Sequence, residues 1–167
     1  RKNPKLINYK DGRRPDEIKA GSPQEDALRR DFTINGIFYD PIKKRVIDYV
    51  NGEKDIHQKI IRFIGDPDQR IQEDNLRILR AIRLKNQLEF KYEEKTLKSL
   101  IKNAKLTKDI TDQRIGQELF KIFSGKNRAI ALKELYSYGI LKNILPEITN
   151  LKGLQQPDIF HKEGDAL

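Results

Sequence analysis

Only two stretches of this chain alternate as strands do, and both lie before residue 51. Residues 32–39, Phe-Thr-Ile-Asn-Gly-Ile-Phe-Tyr, are rich in β-branched and aromatic side chains, and Asp40-Pro41 closes them. Residues 45–50 form the second strand, and the short connection through Pro41 to Lys44 predicts an antiparallel hairpin. Asn51-Gly52 then turns the chain out. Two strands alone do not make a stable sheet, so their partners are expected upstream of Arg1. A chain that opens on Arg1 and contains no methionine agrees with that expectation.

From Glu53 the period becomes helical. Ile56, Ile60 and Ile61 fall on one side of a first helix, closed by Gly65-Asp66-Pro67. Further helices are predicted over 71–89, 93–105, 111–124, 126–138 and 140–148, punctuated by Thr111, Gly125, Gly139 and Pro146. Thr111-Asp112 reads as an N-cap, and Ile115, Leu119, Ile122 and Phe123 give the following helix its apolar face. Residues 1–24 are basic, interrupted by Gly and Pro, and read as loop. The expected organisation is α+β: a hairpin-bearing piece to about residue 65, then an all-helical array.

Lys and Arg number 34 against 25 Asp and Glu, a net charge of +9, which points to a polyanionic partner. Nucleic acid suits this balance better than a membrane, since no apolar run approaches the roughly 18 residues of a spanning helix and no lipidation signal is present. The absence of cysteine excludes disulfides and thiolate zinc sites and points to a reducing compartment, hence a cytoplasmic location. Two histidines, His57 and His161, are too few for a self-contained histidine metal site.

Two segments could carry chemistry. In residues 73–83, Glu-Asp-Asn-Leu-Arg-Ile-Leu-Arg-Ala-Ile-Arg, a step of three turns each side chain back by about 60° on a helix of about 100° per residue. Asp74, Arg77, Arg80 and Arg83 then sweep roughly half the circumference, with Ile71, Ile78, Leu79 and Ile82 on the other side. An elongated anion lying across the helix would require that arc. An ordinary amphipathic surface helix looks the same, and Glu73 with Arg77 is also a favourable (i, i+4) pair, so spacing alone does not decide. The second segment, 29–35, places Arg29 and Arg30 at the mouth of a strand and gives Asp31, Thr33 and Asn35 one parity. Such a face offers cations to phosphates and amide or carboxylate groups to ribose hydroxyls, or is a strand edge protected by charge.

Taken together, about 40 residues apart and in this order, the two segments resemble the bacterial tRNA nucleotidyltransferase and poly(A) polymerase family, the class II CCA-adding type. The resemblance extends to DGRRPD at 11–16, EDALRRDFTING at 25–36, VIDYVNGEKD at 46–55, IRFIGDP at 61–67 and EDNLRILRAIR at 73–83. Residues 111–120, with Arg114 and Glu118, are similar to the family's later helical motif. The implied fold is the C-terminal part of a nucleotidyltransferase head over 1–65, a helical neck over 66–124, and from 125 to 167 the start of a helical body that grips RNA.

The resemblance implies that Arg30 contacts the nucleotide, with Asp31 and Asn35 toward the ribose. Asp74 and Arg77 correspond to the pair that reads the incoming base, Glu73 braces that arginine, and Arg80 and Arg83 match further nucleotide contacts. Cytosine and adenine each present an amino donor beside a ring-nitrogen acceptor, which an Asp acceptor and an Arg donor satisfy together. Uracil and guanine reverse the order, and a site built this way can reject them by roughly 10⁴-fold or more. The implied activity is addition of C, A or both to the tRNA 3′ end from CTP and ATP, with the 3′ end and acceptor region of tRNA as the partner surface. Poly(A) polymerase activity on other RNA 3′ ends and a non-catalytic RNA-binding module remain alternatives.

The family's phosphate-binding glycines and the paired aspartates that hold Mg²⁺ are expected upstream of Arg1. No catalytic or metal residue is therefore expected in this chain, which alone should be inactive. Gly36 stands where alanine is usual, leaving the strand slightly more open without removing a contact. His161 to Asp165 resembles the start of an HD-type hydrolase segment, yet too few ligands are present to assign a metal there.

Overall fold

The computed structural model describes residues 21–151; the 11–16 motif and the segment at His161 lie outside them. Chain order begins with α1 (Pro23–Arg29), a tight helical turn at Thr33–Asn35, β1 (Ile37–Asp40), β2 (Arg45–Asp48), α2 (Gly52–Gln58) and β3 (Ile60–Ile61). It continues with α3 (Pro67–Glu73), α4 (Arg77–Leu88), β4 (Lys91–Tyr92), α5 (Glu94–Lys102) and a second tight turn at Ala104–Asp109. Last come α6 (Asp112–Phe123), α7 (Arg128–Ser137), α8 (Leu141–Ile144) and α9 (Pro146–Thr149).

Local chemistry sets most of these bounds. The expected loop gives way to α1 because Ser22 and Glu25 form a reciprocal capping box, the Ser22 N–H donating to Glu25 at 2.8 Å and the Glu25 N–H to Ser22 at 3.2 Å. Pro23 sits at the first helical position, where its missing N–H costs nothing. α3 starts the same way, with Asp66 accepting from the Gln69 N–H at 2.9 Å and Pro67 behind it. Glu89 with φ 58° and Gly139 with φ 71° leave the right-handed region and end α4 and α7.

The hairpin forms as expected, with Phe38 opposite Ile47 and Asp40 opposite Arg45. Its first strand is shorter than the alternation suggests. The Thr33 N–H donates to the Arg62 carbonyl and the Ile64 N–H to the Asp31 carbonyl, both at 3.0 Å, so residues 31–33 pair with 62–64 rather than with β2. The Thr33 hydroxyl donates to Asp55 at 2.7 Å, and the chain coils through Asn35 before β1 begins. Gly36 is not an opening: a Cβ there would lie 2.6 Å from Val50 Cγ2. Gly52 is needed for a closer approach, since its Cβ would lie 2.2 Å from the Thr33 carbonyl oxygen.

The helix expected through Ile60 and Ile61 stops at Lys59, which adopts φ 55°. Ile60 and Ile61 instead pair in parallel with Lys91 and Tyr92, which buries Ile61 completely and leaves Ile56 on the surface. The predicted helix 71–89 is two helices with an extended residue, Asp74 (φ −155°, ψ 102°), between them. The segment 140–148 divides before Pro146, and 93–105 ends early in the tight turn from Ala104.

One apolar core joins the pieces. Phe32 and Phe63 stack at 4.7 Å between ring centroids, and Ile71, Ile78, Leu79, Ile82, Leu100, Leu135, Ile140 and Leu141 are fully buried around them. Each such side chain stabilises the fold by about 1.5–3 kcal/mol relative to exposure. α4 is central, packed on both α6 and α7, with α3 against α5. Its Ile78, Leu79 and Ile82 face this core, which leaves Arg80 toward Asp31 and Arg83 toward α6.

Candidate nucleotide-binding cleft

Asp74 begins the site because it ends a helix. One carboxylate oxygen accepts from the Leu76 N–H at 3.2 Å and closes the turn into α4, while the other accepts from Arg114 on α6 at 2.8 Å. Asp74 therefore does not share a helical arc with the arginines. It stands in the break before α4, and Arg77, Arg80 and Arg83 follow along that helix.

Each arginine is held by an acid from a different part of the chain. Arg77 donates through Nη1 to Glu73 at 2.7 Å and to the Arg70 carbonyl at 2.6 Å. Arg80 donates to Asp31 at 2.6 Å, bringing α4 against the segment before the first tight turn. Arg83 donates to Glu118 at 2.7 Å and to Gln87 at 3.0 Å. Glu118 is buried on α6; burial opposes its charge, yet the bonds from Lys121 and Arg83 outweigh that and hold its pKa below the usual value.

Asp31 is more committed than the resemblance implies. One oxygen takes the Phe32 N–H and the Asn35 amide, both at 2.9 Å, and the other takes Arg80. Burial raises its pKa, but the Asn35 bond and the Arg80 charge prevail and lower it overall. Thr33 does not join Asp31 and Asn35 on one polar face, because the tight turn directs its hydroxyl to Asp55. Arg30 lies across the Phe38 ring at 4.7 Å and donates to Asp26 at 3.0 Å and to the Asn35 carbonyl at 2.7 Å.

These groups surround an open cleft of about 620 Å³. Arg30, Asp31, Asn35, Asp74, Arg77, Arg80 and Arg83 line it together with Leu76, Leu84 and Arg114. Glu73 stands behind Arg77 instead of on the wall. Each of the five arginines is paired with an acid, Asp26, Glu73, Asp31, Glu118 or Asp74, so what the wall offers a polyphosphate is a set of oriented N–H donors more than a large net charge, and Leu76 and Leu84 provide an apolar surface for a flat ring. Arg114, which the sequence assigns only to the helical motif over 111–120, is a wall residue that the sequence reading misses. Its (i, i+4) relation to Glu118, which holds Arg83, was the available signal. Arg70, which touches both halves of the cleft from behind, gave none.

Residues 5–62 match the family described as the poly A polymerase head domain, and 89–152 match the probable RNA and SrmB-binding site of polymerase A. The α3–α4 part of the cleft falls between the two. The CCA-adding enzyme of Ligilactobacillus salivarius is 42% identical over 136 residues, covering 78% of this chain and 33% of that protein. Poly(A) polymerase I of Salmonella typhi is 36% identical over 146 residues, 87% of this chain and 30% of that protein. Among solved structures, the Bacillus stearothermophilus CCA-adding enzyme in complex with CTP superposes with a TM-score of 0.71 at 34% identity, covering 75% of this chain and 31% of that one. The Thermotoga maritima CCA-adding enzyme complexed with tRNA gives 0.69 at 30% identity, again over 75% and 31%. The chain thus spans about a third of the length of these relatives.

Proposed function

Since the chain belongs to the family of CCA-adding enzymes and bacterial poly(A) polymerases, we propose that the protein containing it is a tRNA nucleotidyltransferase. It adds C, A or both to the tRNA 3′ end from CTP and ATP without a nucleic-acid template. The observation that carries this reading is the pairing of an acceptor, Asp74, with a donor, Arg77, on one wall of an arginine-lined cleft.

The cleft performs the selection. Arg77 is fixed through Nη1 by Glu73 and the Arg70 carbonyl, so the rest of its guanidinium meets the ring nitrogen of a base. Each oxygen of Asp74 has a second lone pair beyond its bond to Leu76 or Arg114, which receives the amino group of cytosine or adenine. Uracil and guanine would present their donors and acceptors in the reverse order and leave both side chains unmatched. Arg30, Arg80 and Arg83 continue the cleft toward sugar and phosphates. Asp31 and Asn35 reach the ribose side, and Asp31 also anchors Arg80.

In this reading residues up to about 65 belong to the head, 66–124 to the neck and 125 onward to the body, with the cleft where head meets neck. The positive charge of the chain serves tRNA, and the site of action is the cytoplasm. Among the described residues no group of three or more His, Asp and Glu side chains is placed to hold a metal ion. Magnesium would activate the 3′ hydroxyl in such a transfer.

The test uses the full-length protein with tRNA transcripts lacking one, two or three terminal nucleotides. Addition that stops once CCA is restored supports the proposal. Long A tracts on any RNA would replace it with poly(A) polymerase activity, the second reading, favoured by the likeness to the Salmonella enzyme. Asp74→Ala should relax discrimination against UTP and GTP by about 10²-fold or more while leaving RNA affinity intact. Arg30→Ala or Arg83→Ala should weaken nucleotide binding with no change in base preference.

A further inference from the structure

Arg70 lies on α3, is buried to 9% exposure, and does not line the cleft. Its guanidinium nevertheless joins the cleft's two halves. Nη2 donates to the carbonyls of Arg29 and Arg30, both at 2.5 Å, fixing the backbone that carries Arg30 and leads into Asp31. Nη1 donates to Glu73, and the same Glu73 oxygen takes Arg77 at 2.7 Å. The Arg70 carbonyl in turn accepts from Arg77 at 2.6 Å.

Stability alone does not account for an arginine here. Its Nε–H is buried without a partner, an arrangement that costs free energy. It also places a second guanidinium against Arg77 across a single carboxylate oxygen. What arginine supplies is a rigid planar fork that reaches two carbonyls on one side and a carboxylate on the other. A lysine ammonium, a single point of charge, does not span them.

We propose that Arg70 is a positioning residue that locks the Arg30–Asp31 corner and the Arg77 base edge into one geometry, and so sets how strictly the incoming base is chosen. This rests on the base-edge reading of Asp74 and Arg77 above. A shift of Arg77 on meeting the wrong base would pass through Glu73 and Arg70 to the backbone of Arg29 and Arg30. The nucleotide would then be held poorly at both ends.

The test measures kcat/KM for CTP and ATP relative to UTP in the full-length protein, together with tRNA affinity. Arg70→Lys should lower the ratio by about 10- to 100-fold with tRNA affinity unchanged. Combined with Arg77→Ala, it should cost nothing beyond Arg77→Ala alone. If Arg70→Lys does not fold, Arg70→Gln, which keeps a hydrogen-bonding head without the planar fork and leaves the Glu73–Arg77 pair in place, is read by the same ratio. A ratio within about twofold of wild type in the folded variant, or losses that add in the double variant, would overturn the proposal. An unchanged ratio in Arg77→Ala would remove the base-edge reading and this inference with it. Loss of discrimination in Arg77→Ala without loss in Arg70→Lys would remove this inference alone.

Discussion

Asp31 reads as a ligand in the sequence and is an occupied anchor in the structure. Its partner Arg80 is 49 residues away, a separation that no local pattern encodes, so the motif was legible and the commitment of both oxygens was not. The consequence is a pH dependence. Burial opposes the charge, but the Asn35 bond and Arg80 leave the folded pKa below the unfolded one. The ionised form is then favoured by folding. Its contribution is complete above the unfolded carboxylate pKa of about 4 and is lost as pH falls through the lower folded value. Asp31→Asn keeps the volume and leaves Arg80 without its counter-charge, and should cost about 2 kcal/mol at pH 7. Denaturant unfolding at pH 7 and pH 3 should show the gap between wild type and variant narrowing in acid. A gap independent of pH would place the stabilisation elsewhere.

Between elements, the decisive feature is the break at residues 74–76. Ile71 and Ile78 are seven apart and stay in phase across it, so hydrophobic periodicity reads one helix through two. The break follows from an aspartate whose side chain competes for a nearby backbone N–H, drawn further by Arg114 from another helix. The hairpin was legible because alternation and a short connection are local signals. The parallel pairing of β3 and β4, two residues on each side, is too short to leave a period. α3 is also tied to α5, where Asp68 accepts from Lys102 at 2.5 Å, from Asn103 at 2.7 Å and from Ser99. The bonds from Lys102 and Ser99 lower its pKa to about 2. Its stabilisation is therefore present above about pH 4 and lost as pH falls toward 2. Asp68→Asn should lower the thermal midpoint at neutral pH, and the two proteins should converge between pH 4 and 2 when melted side by side. Parallel acid profiles would count against this tie.

Across the whole molecule, the proposed function gives two kinds of electrostatics two tasks. The net charge of +9 is a long-range field, screened over about 10 Å at 0.1 M salt, and RNA binding that rests on it falls steeply with ionic strength as counterions are released. In the proposed reading, base choice rests instead on short contacts inside the cleft. Arg77 and Arg83 are each only 14% exposed and held by acids at 2.7 Å, Glu118 buried and Glu73 half exposed, and partly buried pairs of this kind are screened less than the long-range field. The two activities should therefore separate. Raising salt from about 50 to 200 mM should weaken tRNA binding by about tenfold or more, while the ratio of kcat/KM for CTP or ATP to that for UTP stays constant. Filter binding and single-nucleotide incorporation in the same buffers measure both quantities. Discrimination that declines in step with tRNA affinity would mean that the base is chosen through the RNA complex as a whole, and not by the fixed edge that Asp74 and Arg77 present.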